Sequence, residues 1–265
     1  MIALLTDFGL QDPYVGIIKG IILRIHPKVR LVDITHQVPP QDIQYGMLCL
    51  KSAYRFFPQK TIFLAVVDPG VGSQRKPIIV QTHEYIGVGP DNGILSPLIQ
   101  NVRSYRIYEI THDQYFLKPV SKTFHGRDIF APVAAHLAKG RRPSHFGPRR
   151  ASMEKFLIPK PKIQSRKALI QGEIIHIDHF GNLITNIERH HIPRFEGLRI
   201  KIKNHTINGL SQSYCQAKPK QRLALFNSMG HLEIALHQAS ASSFYKLTKG
   251  AKVYVYWNLF KRWDQ

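Results

Sequence analysis

Hydrophobic patterning divides this chain at Gly140. Before that residue, short apolar runs alternate with stretches of helical spacing; after it, short apolar runs follow one another with turn residues between them. In the first part, Ile2–Leu5, Leu31–Ile34, Ile62–Val67, Ile78–Gln81, Tyr85–Val88 and Tyr105–Ile110 read as strands. Asp12 and Pro13 predict the start of a helix running to about His26, with Val15, Ile18, Ile22 and Ile25 on one face. Asp42 predicts the cap of a second helix, whose face carries Ile43, Met47, Leu50, Tyr54 and Phe57. A third is expected from about Arg127 to Ala138, with Gly140 just past its end. Strands and helices in alternation predict an α/β domain with a mostly parallel sheet sandwiched by helices.

Residues 141–167 lose all periodicity and collect basic side chains and prolines, which marks a connector. From Ala168 onward the expected strands are Leu169–Ile177, Leu183–Ile187, Leu198–Ile202, Leu223–Phe226, Leu232–Leu236 and Val253–Trp257. Short strands separated by turns predict a small β-barrel or sandwich. The expected organisation is an N-terminal α/β domain over 1–150, a basic connector over 151–167 and a C-terminal barrel over 168–265.

Composition removes several function classes. No apolar run approaches the ~18 residues of a membrane span. The chain opens on strand-like residues with no basic region before them, and it carries only Cys49 and Cys215. A cytoplasmic protein without a disulfide framework is therefore expected. Phosphate-binding glycine loops and the nucleophile elbow are absent from the sequence. No Cys or His cluster has zinc spacing, and the adjacent His190 and His191 are badly placed for joint ligation. The charge, 37 basic against 17 acidic residues, favours anionic partners. The arginines of 141–150 and the lysines of 155–162 would form the footprint of a nucleic-acid-binding protein, but no basic–aromatic recognition motif accompanies them, so nucleic acid is not the expected partner.

Chemistry is expected first at Asp68. It ends a buried strand and precedes Pro69-Gly70-Val71-Gly72, a loop that cannot be helix, with Arg75 close enough to fold back onto it. Asp7, in Thr6-Asp7-Phe8-Gly9, ends the first strand in the same way. His125 precedes the third helix in Thr123-Phe124-His125-Gly126-Arg127-Asp128 and offers a base or a proton relay. Asp178-His179-Phe180-Gly181-Asn182 brings a carboxylate, an aromatic face and an amide into one turn, a set that suits a nucleoside. Asn227-Ser228-Met229-Gly230-His231-Leu232-Glu233 is a further polar turn.

These stretches, together with Gly89-Pro90-Asp91-Asn92-Gly93, occur in an order that resembles the S-adenosyl-L-methionine (SAM) hydroxide adenosyltransferase family. Its members hydrolyse SAM to adenosine, and it is related to the SAM-dependent fluorinase and chlorinase. The resemblance implies a homotrimer, with each site between the N-domain of one subunit and the C-domain of its neighbour. By motif, Asp68, Arg75 and His125 resemble the water-activating triad, and Asp7 the ribose ligand. Phe180 and Asn182 resemble adenine contacts, and Asp178, Ser228 and Glu233 match positions near the methionine amine and carboxylate. Met229 departs from fluorinase-like members, which carry an arginine there.

The implied reaction converts SAM and water to adenosine and L-methionine, with no metal or separate cofactor, because the sulfonium is already a good leaving group. Within the family the alternative is halide-dependent adenosyl transfer. Against it, the position of Asp68 is not acidic in the halogenases, and Gly126 replaces a serine that helps hold the halide.

Overall fold

The computed structural model describes residues 1–100 and 102–258. The chain forms two compact units, Met1–Leu157 and the part from Ile158 onward. Residues 259–265, expected within the barrel domain, lie outside the described residues.

The first unit contains strands β1 (Ile2–Thr6), β2 (Leu31–Thr35), β3 (Ile62–Val66), β4 (Pro77–Gln81), β5 (Ile86–Pro90), β6 (Arg106–Glu109) and β7 (Arg149–Arg150). Helices α1 (Tyr14–Ile25), α2 (Ile43–Ala53) and α3 (Ala131–Ala138) accompany them. The seven-stranded sheet has the order β2-β1-β3-β5-β4-β6-β7. Period-two alternation buries both of its faces. Ile2, Leu4, Leu64 and Val66 pack on one side with Ile18 and Ile22 of α1 and Val133 of α3. Ala3, Leu5, Phe63 and Ala65 pack on the other with Leu50 of α2 and the segment through Ile94 and Leu98. This is the helix–sheet–helix layering expected from the alternation.

Only the β2-β1-β3-β5 half is parallel. The pairings of β4 with β5 and β6, and of β6 with β7, are antiparallel. The turn between β4 and β5, closed by Thr82 N–H to the Tyr85 carbonyl at 2.9 Å, is too short for a crossover and forces reversal. β7 shows that the aperiodic stretch from 141 still contributes to the sheet inside the 1–150 domain: Arg149 pairs with Tyr108.

Helix starts also differ in detail. Pro13, not Asp12, occupies the N-cap of α1, and its carbonyl accepts from Ile17 N–H at 2.9 Å. Asp42 does cap α2, accepting from Tyr45 N–H at 2.9 Å. The helix expected from Arg127 begins as a π-turn over Gly126–Phe130 before α3. Pro132 explains the widening. Its ring would press on the carbonyl of residue 128 in a regular helix, and that carbonyl instead turns away to accept from Leu117 N–H at 2.8 Å.

The second unit holds β8 (Lys162–Gln164), β9 (Leu169–Ile177), β10 (Leu183–Glu188), β11 (Arg199–Ile202), β12 (His205–Asn208), β13 (Arg222–Phe226), β14 (His231–Leu236) and β15 (Lys252–Tyr256), with the short helix α4 (Ala241–Tyr245). The sheet order is β12-β11-β15-β9-β10-β14-β13, with β8 paired to β9. The sheet curls until its two edges meet, where Arg222 donates to His205 Nδ1 at 2.6 Å. Ile170, Leu183, Ile200, Leu232 and Val253 fill the interior. This is the expected barrel, nearly closed. β12 was not expected, because His205-Thr206-Ile207-Asn208 has a single strong apolar residue and gains its partner only through β11.

Two glycine substitutions separate steric from entropic effects. A Cβ on Gly89 would lie 2.3 Å from the Ala65 carbonyl oxygen, where β5 pairs with β3. Gly89→Ala should lose roughly 1–3 kcal/mol in urea unfolding. Gly20 is exposed within α1 and has no neighbour within 4 Å of that position. Gly20→Ala should gain about 0.5–1 kcal/mol. Equal effects would refute the packing account.

Candidate active site

The strand order reverses between β1 and β3: α1 leads outward to β2, and α2 returns on the other face to β3. Such a reversal opens a crevice at the carboxyl ends of the strands. Thr6 stands in register with Val66, so Asp7 and Asp68, just beyond, emerge side by side. They share a cleft of about 370 Å³ lined also by Phe8, Tyr14, Gln41, Phe124 and His125.

Asp68 meets its counter-charge within its own loop. Arg75 Nε donates to Oδ1 at 2.9 Å, and Nη2 closes the fork on Oδ2. The same Nη2 lies 2.7 Å from His125 Nδ1. A guanidinium only donates, so His125 Nδ1 accepts, and the imidazole is neutral with its proton on Nε2. Burial, and then the Arg75 charge, hold the His125 pKa below its usual value, while Asp68, Asp128 and a hydrogen bond with the Ser121 backbone pull the other way. Arg75 also packs over Phe130, with Cζ 5.2 Å from the ring centre.

Gly72 brings the Asp68 loop against the loop that carries His125. It sits at φ +76°, and a Cβ there would be 2.4 Å from the Lys122 carbonyl oxygen. Asp128, fully buried, braces the same loop by accepting from Ser121 N–H at 2.7 Å and from Arg127 Nε at 2.6 Å. Asn92 holds the strand end from behind, donating to the Val67 carbonyl at 2.8 Å. The Gly89–Gly93 stretch therefore supports the site from outside the cleft.

Asp7 accepts from Gln41 N–H at 2.9 Å, and Gln41 adopts φ 67° to reach it. A non-glycine residue in that region carries strain of ~1 kcal/mol or more. Burial, with the nearby Asp68 charge adding to it, raises the Asp7 pKa, while the Gln41 amide opposes the rise. Phe8, Tyr14 and Phe124 form an edge-to-face wall, with ring centres 5.2 to 6.1 Å apart. Sequence reading missed Tyr14 and Gln41. Tyr14 reads as one more residue of a helix, and a backbone amide leaves no signal in side-chain pattern.

The second unit has its own cavity of about 530 Å³, lined by Asp178, Phe180, Asn182, Tyr214 and the segment 236–240. Asp178 organises the turn, accepting from Phe180 N–H at 2.9 Å, Asn182 N–H at 2.8 Å and Asn182 Nδ2 at 3.0 Å. Locked in this way, the turn leaves Phe180 75% exposed at the rim. Glu233 is only 2% exposed and lies behind Tyr214, whose hydroxyl donates to it at 2.6 Å. Burial raises the pKa values of both groups, and the Asp178 charge adds to each. Tyr214, in a segment without clear patterning, was not anticipated. Ser228 is exposed in its turn and does not line this cavity. The sequence-predicted residues thus gather into two groups: Asp7, Asp68, Arg75 and His125 in the first unit, and Asp178, Phe180 and Asn182 in the second, with Glu233 one layer behind.

Sequence models of the SAM hydroxide adenosyltransferase N-terminal and C-terminal domains match residues 2–147 and 172–254. The chain belongs to that family. It is 33% identical over 262 residues to an (R)-S-adenosyl-L-methionine hydrolase of Salinispora tropica, covering 96% of this chain and 97% of that protein. It is 35% identical to one of Methanocaldococcus jannaschii, covering 91% and 90%. Fluorinases match at 26–30% identity. Among solved structures, an uncharacterized conserved protein from Thermotoga maritima superposes with a TM-score of 0.89 at 35% identity, covering 97% of this chain and all of that one.

The His125 geometry is directly measurable. Nitrogen-detected NMR should show the Nε2–H tautomer, titrating below the ordinary histidine pKa of ~6.5. Arg75→Met should raise the midpoint without fully restoring it, since burial is the larger cause. The stability drawn from the neutral ring is then present above pH ~6.5 and lost as pH falls through the folded-state pKa. A midpoint at or above 6.5 in the unaltered protein would contradict this arrangement.

Proposed function

We propose that this protein hydrolyses SAM to adenosine and L-methionine by attack of water or hydroxide on ribose C5′. The observation that carries the reading is a carboxylate, Asp68, held by the Arg75 fork and facing a cleft. Methionine leaves with the C5′–S bonding pair and so neutralises the sulfonium. The burden on the protein is to align a water oxygen opposite that bond and to take up its proton.

Asp68 is the direct acceptor. A carboxylate fixed by a bidentate guanidinium still presents lone pairs toward the cleft. His125 acts on Arg75: its Nδ1 is already occupied, and it takes a proton only after Arg75 releases that nitrogen. Asp7, anchored by the Gln41 amide, receives the ribose hydroxyls. In the cavity of the second unit, Phe180 offers its face to adenine. Asn182 Oδ1, without a described partner, suits the exocyclic amine. Asp178 takes the methionine amine, Tyr214, which donates to the buried Glu233, lines the same cavity, and Ser228 remains the candidate for the carboxylate. No cofactor enters this scheme.

Water is favoured over halide for two reasons. The Asp68 carboxylate repels an anion but accepts a hydrogen bond from water. At Gly126, a Cβ would meet Phe8 Cζ at 3.2 Å and Phe124 Cε2 at 3.3 Å, so the aromatic wall crowds the place where a halide-holding hydroxyl would stand.

The ribose-side and adenine-side groups belong to different units. The reading joins the cleft of one subunit to the cavity of a neighbour in a homotrimer. A cytoplasmic location accords with the free thiols of Cys49 and Cys215.

Turnover in ¹⁸O-labelled water should place the label in the 5′-hydroxyl of adenosine and leave methionine unlabelled, at any halide concentration. Asp68→Asn should keep SAM binding and lose roughly 10²- to 10⁴-fold in kcat. A 5′-halogenated product, or full activity of the amide variant, would overturn the mechanism.

The shared site is tested by mixing. Asp68→Asn and Asn182→Ala subunits, each inactive alone, should regain part of the activity when unfolded and refolded together. Absence of recovery, with mixed oligomers demonstrated by mass, would place each site within one chain.

A further inference from the structure

The barrel carries a surface whose chemistry is invisible in the linear sequence. Strand register sets Lys162 opposite Gln171, Gln171 opposite Tyr254, and Tyr254 opposite Lys201. Two residues along β15, Tyr256 stands opposite Arg199. Opposed residues project from the same face of a sheet. The alternating set, including Val255 and Ile200, is the barrel interior, so these rows face outward. Arg199, Lys201 and Lys162 are exposed, and Tyr254 and Tyr256 are half-buried.

The charges here are uncompensated. No described carboxylate pairs with Lys162, Arg199 or Lys201. The acid nearest in register, Glu173, is taken by Lys252. Arg199 lies against the Tyr256 ring, with Cζ 6.0 Å from its centre. Two tyrosines at alternate positions of one strand stand about 7 Å apart, with cations on both flanks. Nowhere else among the described strands does register place two outward rings amid unpaired basic residues.

The geometry points to this face as a docking surface for single-stranded RNA. Aromatic rings on a sheet stack exposed bases, and flanking lysine and arginine neutralise phosphates. A duplex hides the base faces that the tyrosines would stack. An acidic protein would use the cations and leave the rings idle, and a membrane surface would require apolar prongs that the face lacks. The amide of Gln171 and the hydroxyl of Thr206, opposite Lys201, supply partners for ribose 2′-hydroxyls. The overall charge of +20 adds long-range attraction. None of these residues lines the cleft or the cavity described above, so this inference stands apart from the hydrolase reading.

Fluorescence anisotropy of the full-length protein with a labelled 15-residue oligo(U), over a series of salt concentrations, tests it. Binding should weaken as salt rises. Tyr254→Ala should weaken it about tenfold by removing one stacking ring. The exposed double change Arg199→Ala, Lys201→Ala should reduce the slope of log K against log salt by about 1.4, and it keeps the test open if the tyrosine variant misfolds. SAM turnover should be unchanged in both. The inference is overturned if neither change affects binding, if duplex RNA or oligo(dT) binds as well as oligo(U), or if only an acidic protein or anionic vesicles bind through this face.

Discussion

A carboxylate at the end of a strand buried on both faces needs a counter-charge close by. β3 lies between β1 and β5, with helices over both sides, and the Asp68 side chain keeps little solvent exposure. Arg75 meets that need seven residues later, and the rest of the site follows from how its guanidinium is shared. One edge grips Asp68 and the remaining Nη2 hydrogen reaches His125. That contact fixes the tautomer of the histidine, with Nδ1 as the acceptor. Asp68 is left as the group with free lone pairs toward the cleft. Gly72, which alone lets the two loops touch through Lys122, is as necessary to this geometry as the charged residues.

In the proposed reaction the two units contribute different kinds of structure. The α/β unit offers strand ends at a point where the strand order reverses, which places two carboxylates side by side. The barrel offers a turn whose acid holds its own backbone amides through Oδ1, a rigid frame from which Phe180 and Asn182 project. Ion pairs at exposed positions, such as Lys19 with Asp33 or Lys118 with Asp113, add little by comparison, because solvent screens them.

Much of the fold was legible because local pattern and burial agree. Continuous apolar runs, buried on both faces, became β1 and β3, and Asp42 capped α2 where its spacing indicated. The failures have local causes as well. Pro132 widened a helix start into a π-turn, a short hairpin reversed β4, and β12 exists only through pairing with β11. At the site, Asp68, Asp7 and His125 were legible as polar residues at strand and helix ends. Gln41 was not, since it contributes a backbone amide, and neither was Tyr214, which lies in a segment without periodicity. The outward Tyr254, Tyr256, Arg199 and Lys201 face was unreadable, because its members come from strands far apart in the chain.

By itself, the sequence determined the composition of each layer and the order of the chemical groups: which runs must be buried, where the chain must turn, and which acids stand at strand ends. Those properties depend on neighbours a few residues away. Tertiary structure alone decided that Arg75 serves both Asp68 and His125, that Glu233 stands behind Tyr214 instead of at the cavity wall, and that the aromatic rings of Phe8 and Phe124 fill the space beside Gly126. Each of these depends on which distant groups arrive within about 3–4 Å of one another, and only strand register and loop packing set that.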